Sequence, residues 1–136
     1  MPRIVVTQDF DDEMDALDST QPDVVDAAEL LLESLDENRD LLERLHQPNT
    51  YPLHTPVFEV KRFGTAQKAG YNIFILKFQD LGGHLADHRI LLGFHAQRDT
   101  FYALAITDRD YSYDHHHDAY RNLLHRYEKC GIPKYA

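Results

Sequence analysis

Apolar positions in this chain follow one period in its first part and another in its second. Between Asp23 and Leu35, the residues Val24, Val25, Ala28, Leu31, Leu32 and Leu35 recur at three- and four-residue steps. That spacing predicts an amphipathic helix. Asp23 stands as its N-cap, and Pro22, in the turn Thr20-Gln21-Pro22-Asp23, as the breaker before it. A thinner helical pattern, Met14 and Leu17 in an acidic run, covers Asp11 to Asp18. A further short helix continues or kinks over Glu37 to Leu45, with Leu41, Leu42 and Leu45 as its apolar side. Ahead of all of these, Ile4 to Val6 is a β-branched run that reads as a first strand.

Pro48, Pro52 and Pro56 then bias the chain away from helix. Val57 to Phe63 reads as a strand, and Gly64 to Gly70 as a loop. Tyr71 to Phe78 (YNIFILKF) is aromatic and β-branched, the strongest strand pattern of the chain. His88 to Ala96 (HRILLGFHA) follows a loop over Gln79 to Asp87. The tight connection QRDT leads into Phe101 to Thr107 (FYALAIT). A last helix begins at His115 or Asp118 and runs to Glu128, with Leu123, Leu124 and Tyr127 on its apolar face. Gly131 caps it and Pro133 stops it.

Short connections between successive strands imply an antiparallel meander. The expected fold is therefore α+β: an N-terminal strand and helical hairpin packed on an antiparallel β-meander with a C-terminal helix. At 136 residues one domain is the default, with 1–50 as its acidic front and 51–136 as its sheet and last helix. Val57 to Phe63 stands as an edge strand, open to a bound peptide or to a homodimer.

Charge sharpens that division. Residues 1–50 hold 3 Lys+Arg and 14 Asp+Glu, a net of −11. Residues 51–136 hold 11 and 9, a net of +2, and eight of the nine histidines. The overall −9 argues against nucleic-acid binding by the molecule as a whole, but leaves room for a local basic face. The single cysteine, Cys130, cannot form an internal disulfide, which fits a reducing compartment. Met1 to Phe10 does not read as a signal peptide, and no apolar run approaches the roughly 20 residues of a membrane span. A cytoplasmic location is the expectation.

The chemistry concentrates where the sheet ends. Lys77 lies near the end of one strand, Arg89 at the start of the next, and Arg98 in the hairpin. Arg109 follows the last strand, with Tyr111 and Tyr113 soon after. An antiparallel meander can bring Arg89 and Arg109 to one edge, with Lys77 close by. Guanidinium groups bind phosphate bidentately and stabilise charge in a transition state. Tyrosine can stack on a base or move a proton. The plain alternative is that these are ordinary solvated strand ends.

The run YNIFILKF, HRILLGFHA, FYALAITDRDY resembles the three core strands of the RelE/ParE toxin superfamily. The first strand, the helices after it and the segment LLERL at Leu41 to Leu45 resemble that family's helical front. The resemblance implies a bacterial toxin, in one branch a ribosome-associated endoribonuclease that arrests translation. An antitoxin protein and the ribosome with its messenger RNA would be its partners, and no cofactor is implied. Carried over by position, Lys77 would contact phosphate, with Arg98 and Tyr113 as further RNA contacts. Arg89 would stabilise the charged transition state, and Arg109 would do the same or act as an acid. Tyr111 would stack on a base or assist proton transfer, and His115 is a candidate base. The chain departs from the family in its acidity and in the added segment Pro52 to Gly70.

Two other readings stand beside this one. The same fold without catalysis could use its acidic helical face to bind a basic partner. The cluster Asp114-His115-His116-His117-Asp118, with His125, holds metal-ligating side chains, although adjacent residues cannot all reach one ion. No metal is assigned to it. Cys130, at a helix C-terminus, reads as structural, with a thiol whose pKa is raised.

Overall fold

The computed structural model describes residues 3–37, 52–54, 57–78, 88–108 and 118–134. Strand β1 (Arg3–Val6) leads into helices α1 (Gln8–Asp18) and α2 (Pro22–Glu37). Strands β2 (Pro52–His54) and β3 (Val57–Arg62) follow, then a one-turn helix α3 (Gly64–Lys68). Strands β4 (Ile73–Phe78), β5 (His88–His95) and β6 (Thr100–Asp108) precede the last helix, α4 (Asp118–Lys129).

All six strands join one sheet in the order β1-β6-β5-β4-β3-β2. From β2 to β6 each neighbour is antiparallel, the expected meander. β1 closes the other side parallel to β6, with Arg3 opposite Thr100 and Val6 opposite Ala103. The sheet lies between two helical layers. Phe10, Met14, Val25, Leu31 and Leu35 of α1 and α2 pack on Phe74, Leu76, Ile90, Leu92 and Phe101. Ala66 of α3 and Tyr120, Leu123 and Tyr127 of α4 pack on Ile73, Ile75, Leu91 and Leu104. Strands covered on both faces need apolar residues at every step, which is why IFIL and ILLGF show no alternation.

Several expectations change in the structure. Gly64 to Gly70 is not a loop throughout: Gly64–Lys68 forms a helical turn that buries Ala66 beside Phe63. The strand at Val57–Arg62 is not an edge, because Pro52–His54 pairs with it on one side and β4 on the other. The open-edge argument for a homodimer there falls with it. Asp23 is not the residue before α2 but lies in its first turn, where its Oδ1 accepts from Val24 N at 3.1 Å. The helix starts at Pro22, whose fixed φ and missing N–H suit a first helical position. α1 starts earlier than Asp11, because Thr7 caps it: the Thr7 hydroxyl oxygen accepts from Phe10 N at 3.2 Å. The helix expected over Glu37 to Leu45 lies outside the described residues beyond Glu37. Gly131, with φ of 75°, does end the last helix. Among the described residues no helix is long and apolar enough to cross a membrane.

One glycine is required by packing. A Cβ on Gly93 of β5 would stand 2.9 Å from Ile132 Cδ1, 3.0 Å from Leu104 Cδ1 and 3.1 Å from the Tyr127 ring. All three neighbours are buried, so none can give way freely. Gly93→Ala is expected to destabilise the fold by about 1–3 kcal/mol, measured by urea unfolding.

Candidate functional site

Lys77 lies opposite Arg89 in the β4–β5 register, and Arg89 lies opposite Thr107 in the β5–β6 register. Directly opposed residues on neighbouring strands share a face. Alternation along β4 and β5 places this row with Ile75 and Leu91, on the α4 side of the sheet. The row sits at the end of the sheet where β6 finishes, since His88 is paired with Asp108. Arg89 is only 6% exposed, and its Nη1 donates to the His88 carbonyl at 3.0 Å. Lys77 is half-buried. Two cations are therefore held side by side by backbone register, with Lys77 close to Arg89 as the spacing suggested. Arg109, Tyr111, Tyr113 and His115 lie outside the described residues. β6 ends at Asp108, at this same end.

Arg98 does not join them. It occupies the turn between β5 and β6, about 20 Å further along the strand. Its Nη1 donates to the Tyr102 hydroxyl at 3.3 Å, and its backbone N–H donates to Nδ1 of His95 at 3.3 Å. His95 is buried, and burial together with the neighbouring Arg98 charge lowers its pKa. It serves as a neutral acceptor in the turn. Burial likewise pushes the Cys130 thiol up, as its position suggested, although desolvation and not the helix end is the leading cause.

A second feature lies on the opposite face of the sheet. α1 and α2 enclose a groove of about 470 Å³, floored by Val6, Phe10, Met14 and Leu32. Its walls are two rows of carboxylates: Asp11, Asp15 and Asp18 from α1, and Asp26, Glu29 and Glu33 from α2. Residues four and three apart share one helix face, so each row is a single stripe. None of the six forms an ion pair among the described residues. Two other acids of α1 are used differently. Asp9 accepts from Lys129 Nζ at 2.8 Å, and Glu13 from Arg126 Nη1 at 2.7 Å. Reading the front as uniformly acidic missed this split. The spacing 11, 15, 18 against 26, 29, 33 was its visible signal.

Among the described residues no group of three or more His, Cys, Asp or Glu is placed to hold a metal ion. The run His115 to His117 lies outside them. Compared with known proteins, the chain matches no family model, no curated protein and no solved structure.

Proposed function

We propose that this protein is a RelE-like toxin that cleaves messenger RNA on the ribosome and so arrests translation. One observation carries the reading: Lys77 and Arg89 stand opposite each other at the end of the sheet where β6 finishes at Asp108, one residue before Arg109 in the sequence. The topology supports it as well. The resembling strands form a meander, the helical front covers one face, and a first strand lies beside the last.

In this reaction the ribose 2′-hydroxyl attacks the adjacent phosphorus. A new P–O2′ bond forms, the bond to the next nucleotide's 5′ oxygen breaks, and a 2′,3′-cyclic phosphate remains. The 2′ proton passes to a base, for which His115 or Tyr111 is the candidate. A proton reaches the departing 5′ oxygen from an acid, for which Arg109 is the candidate. Arg89 supplies charge to the crowded phosphate in the transition state. Arg89 is 6% exposed, not on the open face expected of a phosphate-binding arginine, and its Nη1 is held by the His88 carbonyl, so its charge acts on the phosphate through its field at short range. Lys77 binds the neighbouring phosphate, with Tyr113 as a further RNA contact.

The test is inducible expression of the chain alone in a bacterium, with amino-acid incorporation as readout. Wild type is expected to stop translation. Arg89→Ala and Arg109→Ala are each expected to weaken ribosome-dependent RNA cleavage by about a hundredfold. A thermal melt of each variant separates lost chemistry from lost folding. Unimpaired growth with folded, abundant wild-type protein would remove the proposal.

A further inference from the structure

The groove between α1 and α2 is acidic along both walls and apolar along its floor. Like charges at this density repel one another and work against the compact state. The fold has cations available for such a purpose, yet Arg126 and Lys129 are spent on Asp9 and Glu13, on another face of α1. The six groove carboxylates are left facing each other across an apolar floor. Val6 of the floor is 38% exposed, and Leu30, 57% exposed, stands outside the groove beside the α2 row. Apolar side chains between two negative rows complement one kind of ligand: an apolar stripe flanked on both sides by positive charge.

We infer that this groove binds a cationic amphipathic helix of another protein, with Leu-like residues on the floor and Lys or Arg along each wall. Helical shape follows from the walls. Their carboxylates repeat at the three- and four-residue steps of a helix, so cations at the same steps on the ligand meet them in register. A second copy of this chain is a poor occupant, because it carries a net charge of −9. RNA is repelled by the same rows. The surface lies across the sheet from Lys77 and Arg89, and the inference stands whether or not the chain cuts RNA.

The probe is a synthetic helix of about 15 residues, long enough to hold its shape on a groove, with a leucine stripe flanked by lysines. Its binding to the full chain is followed by fluorescence anisotropy. Saturable binding is expected, weakening markedly between about 50 and 300 mM salt as the rows are screened. The variant Asp15→Asn/Asp18→Asn/Glu29→Gln/Glu33→Gln is expected to weaken it by at least about tenfold, a modest share of four charge contacts. A control, Asp118→Asn/Glu128→Gln, neutralises exposed carboxylates of α4, on the other side of the sheet, and is expected to leave it unchanged. Replacing the leucine stripe by serine is expected to abolish binding, because the floor is apolar. Three results would overturn the inference. One is no binding by wild type at about 100 μM peptide. Another is equal loss in the groove and control variants. The third is a dimer in light scattering that the groove variant dissolves, which would put a second copy there.

Discussion

Tyr127→Ala is expected to lower the unfolding free energy by about 3–5 kcal/mol, and Tyr127→Phe by about 1–3 kcal/mol. The two losses have separate causes. The ring is fully buried in the layer between α4 and the sheet, over the position that Gly93 leaves open. It also meets Tyr71 edge-on, with ring centroids 5.2 Å apart. Truncation opens a large void that its neighbours cannot fill. The hydroxyl does different work. It donates to the Pro133 carbonyl at 2.8 Å and accepts from Asn72 N at 3.1 Å. One atom thus ties the segment after α4 to the segment before β4. Phenylalanine keeps the ring but leaves both backbone groups without that partner. Urea unfolding of the three proteins separates the contributions. Equal stability of Tyr127→Phe and wild type would show that water replaces the hydroxyl.

Arg126→Met is expected to cost about 2–3 kcal/mol, because it removes several charge-assisted bonds at a part-buried site. β1 covers the outer edge of β6 only as far as Ala103. Beyond it, the Leu104 carbonyl accepts from Arg126 Nη1 at 2.9 Å, and Ile106 N donates to Glu13 Oε1 at 3.3 Å. Arg126 and Glu13 bond each other at 2.7 Å, so an ion pair continues the sheet edge where the strand stops. The pair also joins α4 to α1 around that edge. Glu13→Gln alone and both changes together complete a double-mutant cycle. A coupling of about 1 kcal/mol or more is expected for groups in such contact. Asp9 extends the clamp and gives it a pH signature. The hydrogen bond from Lys129 is the main cause of its lowered pKa, against an opposing effect of burial. A carboxylate with a lowered folded pKa stabilises the fold above its unfolded pKa. That contribution fades as pH falls below the ordinary aspartate value of 3.8. In Lys129→Met the loss of stability on acidification should be smaller.

The meander was legible because each of its strands carries a dense apolar run closed by turn residues, and because its partners are sequence neighbours. The Lys77–Arg89 pair was legible for the same reason, since short-range antiparallel register follows from the connections. Arg98, an RNA contact only by the resemblance, sits in the hairpin, and the register puts that hairpin at the far end of β5. α3 escaped notice because one turn of Gly-Thr-Ala-Gln-Lys has no helical period to display. β2, three residues opening on a proline, has no strand pattern and exists through its pairing with β3. The parallel partner of β1 could not be read at all, since nothing local in Ile4 to Val6 points to Phe101 to Ala103. The groove needed both helices. Each acidic stripe is visible in the sequence, but their opposition across one floor depends on how the hairpin turns at Ser19 to Gln21.

The pairing of β1 with β6 also orders events during synthesis. A ribosome makes β1, α1 and α2 well before it makes the strands they rest on, and contacts of such long sequence separation close late. Until Ile90, Leu92 and Phe101 have emerged, Phe10, Val24 and Leu31 have no sheet to cover them. A newborn hairpin of this kind is a sticky object. The same carboxylate stripes that border the groove are expected to keep unfinished chains apart by mutual repulsion, so that neutralising them should raise aggregation during refolding.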